Sequence, residues 1–162
     1  MHQVQYRFRG WNPPQLPALD DALATIGSDE SSPLILVGHS MGGRVAAHIS
    51  QRANVAGIVA LAPWWPDHDS ELITAPQVVT VHGTADRWTS ARESSEQTAE
   101  MAARGIAATF IEMKRAGHFM LLRPHKWHGL ICDSVTNMLA AHGAPADQAS
   151  IGWVSETPAR TT

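Results

Sequence analysis

The sequence predicts an α/β fold, a doubly wound and mostly parallel sheet of about five strands with helices on both faces. Three observations predict it. Short apolar runs closed by Gly or Pro recur along the chain, the clearest being Leu34 to Val37 and Val55 to Leu61. Segments of helical periodicity separate these runs, so strand and helix alternate. Nothing in the 162 residues divides one core from another: there is no internal repeat and no long polar linker.

Each element follows from local pattern. Val4 to Phe8 alternates as a strand does, and Leu16 to Ile26 carries Leu19, Leu23 and Ile26 on one helical face. Leu34 to Val37 and Val55 to Leu61 read as neighbouring buried strands. The Ala-rich stretch from Met41 to about residue 53, with Val45 and Ile49 four apart, makes the helix between them. Gln77 to His82 follows Pro76 as a third buried run. Ala107 to Met113 follows Arg104-Gly105, a pair that ends a helix begun near Ala91. From Pro124 onward Trp127, Leu130, Ile131, Val135, Met138 and Leu139 keep helical spacing, so a last helix covers the sheet. Residues 1–142 are thus expected to form the domain. Residues 143–162, rich in Ala, Pro, Ser and Thr, are expected to be a mobile tail.

Composition narrows the function. A net charge of −3, with acidic and basic residues mixed, offers no basic stripe for nucleic acid and no polybasic membrane anchor. The first residues lack the apolar run of a signal peptide and no stretch is apolar enough to span a bilayer, which points to a cytoplasmic protein acting on a small molecule. The single cysteine, Cys132, excludes an internal disulfide and reads as an inert thiol on an apolar helix.

The chemistry gathers at the ends of three predicted strands. Gly38-His39-Ser40-Met41-Gly42-Gly43 follows a buried strand and precedes a helix, the setting of a G-x-S-x-G nucleophile elbow. The turn is so tight that flanking side chains would collide, hence the glycines, and Ser40 is thrust above the strand end. A phosphate-binding turn is the competing reading, but the Walker lysine and the G-x-G-x-x-G pattern are both missing. A serine hydroxyl needs a base, and the base needs a group that fixes its tautomer. Asp86, in His82-Gly83-Thr84-Ala85-Asp86, and His118, in Gly117-His118-Phe119, follow in the order Ser, Asp, His on loops at strand carboxyl ends. Asp67 and Asp69 are rivals for the acid, but an ordinary loop suits them better. His125 and His128 read as surface residues of the last helix, His39 flanks a strand end, and His82 reads as ordering a turn.

From about residue 4 to 140 these motifs resemble the α/β-hydrolase family of esterases, lipases and peptidases, in a small, capless form shortened at the front. The resemblance implies Ser40 as nucleophile, His118 as general base and acid, Asp86 as its orienting carboxylate, and the Met41 amide as one oxyanion donor. It implies a carboxylic ester of small or medium acyl size as substrate and an acyl-enzyme intermediate, with no metal or organic cofactor. The family's earlier strands, one ending in a His-Gly loop that supplies the second oxyanion donor, have no counterpart here. Arg9-Gly10-Trp11 resembles the end of the strand that follows, so a Gly10 or Trp11 amide is expected to substitute if the first strand pairs beside the nucleophile strand. A start upstream of Met1 is another way to supply the missing strands. A second copy of the chain covering the open sheet edge would make a homodimer. Only thirteen residues, Pro63 to Ala75, are left for a lid, so an open site is expected, with Trp64, Trp65, Trp88, Phe119 and Met120 as an apolar wall. The competing function is a non-catalytic or weakly active binding and assembly module.

Overall fold

The computed structural model describes residues 2–7, 17–66, 68–120 and 123–143, and the backbone of 151–154. The apolar runs are strands β1 (Leu34–His39), β2 (Val55–Leu61), β3 (Gln77–Gly83) and β4 (Ala107–Met113), joined by a short β5 (Ile151–Val154). The helices are α1 (Pro17–Ile26), α2 (Met41–Ile49), α3 (Ala91–Ala103) and α4 (Pro124–Ala141), with a 3-10 turn at Asp69–Leu72. The sheet order is β4-β3-β2-β1-β5 and every pairing is parallel. All strand carboxyl ends therefore open onto one edge, where the loops meet.

Period-two alternation divides the core. Leu36, Ile58, Ala60 and Val78 face α1, α2 and α3, while Ile35, Val37, Val59, Leu61 and Val81 face α4 through Trp127, Ile131, Val135 and Met138. Strands covered on both faces need apolar residues at every position, which is why β1 and β2 read as continuous runs. β4 lies at the edge and is half exposed. Helix α2 is buried at every residue but His48, and its Gly42, Gly43, Ala46 and Ala47 let it lie close on the sheet. Among the described residues no helix is long and apolar enough to cross a membrane.

Two expectations about a first strand, that it forms and that it pairs beside the nucleophile strand, are corrected. Val4 to Arg7 is no strand: Gln3 makes an isolated bridge, Val4 is buried in the core under α1 and α2, and Arg7 pairs with Asp21 of α1 at 2.5 Å. The alternation there serves packing against a helix instead of a ladder. The position beside β1 belongs to β5, whose residues lie in the segment read as a mobile tail, with Ile35 opposite Ile151 and Gly38 opposite Val154. Ile151, Trp153 and Val154 are residue types strands favour, and the backbone of β5 pairs with the outer edge of β1.

Candidate active site

Ser40 follows the last residue of β1 and caps the start of α2 with φ 54 and ψ −116, a backbone conformation that L-residues adopt only under constraint. The constraint is visible. The Ser40 N–H donates to the Leu61 carbonyl at 2.9 Å, and its own carbonyl accepts from Gly43 and Trp64 at 3.0 and 3.1 Å. A Cβ at Gly38 would overlap the Gly42 carbonyl, so the turn closes only with glycine there. The side chain is thereby aimed away from the sheet while the residue stays 5% exposed.

His118 Nε2 stands 2.9 Å from Ser40 Oγ, and His118 Nδ1 stands 2.8 Å from Asp86 Oδ2. An ionised carboxylate only accepts, so Nδ1 carries the proton and Nε2 is left to accept from the serine hydroxyl. Three residues far apart in sequence thus meet as a chain whose donors all point the same way. His118 is also held through its main chain: its carbonyl accepts from His39 Nε2 at 2.8 Å. Burial pushes His39 below the usual histidine range, partly offset by that hydrogen bond, and so keeps it neutral near pH 7.

Asp86 is surrounded by donors. Its Oδ1 accepts from the amides of Trp88 and Thr89 at 2.8 and 3.1 Å, and its Oδ2 from Thr89 Oγ1 and His82 Nε2, both at 3.1 Å, besides His118. The side chain is fully buried. Burial, the largest single influence, raises the carboxyl, but the Trp88 amide, His118 and the Thr89 amide together outweigh it and hold Asp86 below the usual carboxylate range. Gly83 makes the approach possible, since a Cβ there would overlap the Ala116 carbonyl that leads into the His118 loop.

The rivals fall elsewhere. Asp69 is buried in an ion pair with Arg44 of α2 at 2.5 Å and a contact to His48 at 3.1 Å, tying the loop after β2 to α2. His125 and His128 are exposed on α4, and Cys132 lies 3.6 Å from His128. Asp67, Gly10 and Trp11 lie outside the described residues. Met41 opens α2 directly after Ser40, in the first turn, whose amides point out of the helix end. Among the described residues no group of three or more His, Cys, Asp or Glu side chains is arranged to hold a metal ion.

The expected aromatic wall divides in two. Trp88 and Phe119 are 60% and 53% exposed and flank the His118 ring, Trp88 nearly parallel to it at 6.1 Å and Phe119 edge-on at 5.4 Å. Trp64 is half-buried under the Arg44 guanidinium, 5.0 Å from its ring centre. Trp65 is a core residue instead: it is 5% exposed and its indole N–H donates to the Gly43 carbonyl at 2.9 Å. An open groove of about 440 Å³ is lined by Trp64, Trp65, Asp86, Trp88, Thr89 and Glu93.

The sequence reading passed over Thr89, Ser94 and the bonding role of His39. One signal was present: α3 buries Ser94, Thr98 and Met101 where a helix on a sheet normally buries aliphatic residues. Small hydroxyl side chains four apart on a buried face imply polar partners beneath. Thr98 Oγ1 donates to the Ser94 carbonyl at 2.6 Å and lies 2.9 Å from Thr80 Oγ1, and Ser94 Oγ lies 3.0 Å from His82 Nδ1.

Comparison with known proteins gives the family and the fold. The model of a family described as an alpha/beta hydrolase domain matches residues 9–112, a span that contains Ser40 and Asp86. Solved structures of similar fold include acyl-protein thioesterase 2 of Zea mays, at 18% identity and a TM-score of 0.58 over 75% of this chain and 62% of that one. An alpha-beta serine hydrolase homologue from Coxiella burnetii is similar at 19% identity and a TM-score of 0.56, over 77% of this chain and 62% of that one. Est1E from Butyrivibrio proteoclasticus has 12% identity and a TM-score of 0.62, over 76% of this chain and 70% of that one. The chain spans 62% of the length of the first two. No curated protein matches the sequence significantly. At these identities the structural likenesses show the fold.

Proposed function

The chain belongs to the α/β-hydrolase family, and on that premise we propose that it is a serine hydrolase cleaving a carboxylic ester of small or medium acyl size through an acyl-enzyme. The observation that carries this is the single line of hydrogen bonds from Ser40 Oγ through both nitrogens of His118 to Asp86. Neutral His118 removes the Ser40 proton as Oγ attacks the acyl carbon, and buried Asp86 stabilises the imidazolium that results. The negative oxygen of the tetrahedral intermediate lies against the Met41 amide and the positive end of α2. His118 then gives its proton to the departing alcohol, and water activated by the same nitrogen releases the acid. No metal or organic cofactor enters these steps.

The alcohol leaves on the side of His118 Nε2, so Trp88 and Phe119, the exposed rings beside that imidazole, would contact the leaving group. An alcohol with an apolar face suits them. The thirteen-residue connection Pro63 to Ala75, tied down through Asp69, leaves this side open to solvent. Thioester cleavage would use the same residues, with a thiol leaving in place of the alcohol.

The experiment is hydrolysis of p-nitrophenyl acetate and butyrate by the purified chain, with Ser40→Ala and His118→Ala beside it and labelling by a serine-directed phosphonate. Turnover and Ser40 labelling that both vanish in the variants are expected. A folded chain that neither turns over nor reacts with the phosphonate would replace the enzyme reading with that of a binding or assembly module.

A further inference from the structure

His82 is as fully buried as Asp86 at the site, and the reaction above does not use it. It is 0% exposed, close to the end of β3, with Nε2 3.1 Å from Asp86 Oδ2 and Nδ1 3.0 Å from Ser94 Oγ. An aliphatic side chain would fill this place in the core at no desolvation cost. The chain instead buries an imidazole and supplies each of its nitrogens with a partner.

The protons on those nitrogens follow from the partners. Burial, the largest influence on His82, holds it below the usual histidine range despite the nearby Asp86 carboxylate, so the ring is neutral near pH 7 and has one N–H. The carboxylate only accepts, so that N–H is at Nε2. Nδ1 is then an acceptor, and the Ser94 hydroxyl must donate to it. Every hydrogen bond from α3 to the nucleophile now has a fixed direction: Ser94 to His82, His82 to Asp86, His118 to the same oxygen of Asp86, Ser40 to His118.

We infer that His82 is a positioning residue of the catalytic site, a second imidazole that donates Nε2–H to Asp86 Oδ2 and so sets both the orientation of that carboxylate and its pull on His118. The inference rests on the serine hydrolase reading. Asp86 Oδ2 receives His118, His82 and Thr89 together. Each added donor takes up charge that would otherwise be turned on His118. With the His82 N–H gone, Asp86 is freer to rotate and draws a proton onto His118 more strongly. The titratable groups acting on the His82 ring are Asp86, which raises its proton affinity, and His118 and His39, each of which lowers that of a neighbouring imidazole by charge alone.

The test pairs His82→Met, which fills the space without a donor, with His82→Gln, whose side-chain amide nitrogen reaches where Nε2 stood. For the Met variant kcat should fall by about 10- to 100-fold, the range seen when outer partners of functional imidazoles are removed. KM should stay within about twofold, because His82 is sealed from the groove, and the acid limb of the pH–rate profile should move to higher pH. The Gln variant should recover most of kcat and return the limb toward its original position. A side chain that merely filled the core would change stability without moving the limb, and Gln would rescue nothing; that result overturns the inference. Nitrogen-15 NMR of the unaltered protein supplies a readout that needs neither activity nor a variant: His82 must appear as the Nε2–H tautomer, and an Nδ1–H tautomer overturns the inference outright. Failure of the hydrolase reading is distinct, since it appears as an unaltered protein with no turnover and no phosphonate label, and the positioning role falls with it.

Discussion

Asp86 and Trp88 are two residues apart in the chain and stand in opposite surroundings. The Asp86 carboxylate is fully buried and receives five hydrogen bonds from four residues. The Trp88 indole is 60% exposed and meets the rings of His118 and Phe119. Both act on His118, Asp86 through Nδ1 and Trp88 across the ring face. The difference separates two tasks. Proton transfer needs atoms held to a few tenths of an ångström, which buried directional bonds provide. Recognition of a leaving group needs accessible apolar surface, which an exposed ring provides and which tolerates change.

The sharpest way to break the comparison is Asp86→Asn. An amide leaves the packing intact but no longer dictates the His118 tautomer, so kcat should fall by about 10⁴-fold with little change in KM, measured by steady-state hydrolysis. Next comes Asp69→Asn, which breaks the buried pair with Arg44 that anchors the loop carrying Trp64. Removing one partner of a buried pair typically costs about 3–5 kcal/mol, so denaturant unfolding should show a loss of that size while Ser40 in the folded fraction still takes a phosphonate label. On the open flank, Trp88→Ala should raise KM by about fivefold for esters with an apolar alcohol, roughly 1 kcal/mol, and change unfolding free energy by less than about 0.5 kcal/mol. A kcat loss as large as that of Asp86→Asn would erase the distinction between the flanks.

The smallest expected effect concerns pH. Buried His39 and His82 both sit below the usual histidine range, so below roughly pH 6.5 the unfolded chain takes up protons that the folded chain refuses. Stability should therefore fall as pH drops from neutral through that point, and Tm measured from pH 7.5 to 5 should show a downward slope that His82→Gln makes shallower. Asp86 acts at lower pH in the same sense, since its depressed value gives stability that is lost only as the carboxylate is protonated.

How much of this could be read beforehand follows the same division. β1 and β2 were legible because strands covered on both faces must be apolar throughout, β3 and the half-exposed edge strand β4 because Pro76 and Arg104-Gly105 mark where they begin, and the helices because the period then shifts. Ser40, Asp86 and His118 were legible as candidates because a tight strand-to-helix turn and two strand-end loops leave marks in glycine and chain order. The supports of Asp86 left fainter marks. A histidine four residues before an aspartate, or a threonine three after it, is common in turns, and only the fold brings Ser94 of α3 beneath both. Val4 misled because alternation in a short segment fits one side of a helix contact as well as a ladder. Trp65 misled because one of two adjacent tryptophans on the loop is buried and the other only half so, and chain position alone does not say which.

The backbone at Ser40 has a further consequence. A residue with φ 54 and ψ −116 is held where glycine alone rests easily, a burden of about 1–3 kcal/mol for any L side chain. Ser40→Gly should therefore gain stability to the extent that the relieved strain outweighs the lost hydrogen bond to His118, with no hydroxyl left at the turn. Selection for endurance alone would drift toward that inert chain. On the proposed reading, robustness at this position is traded for reactivity.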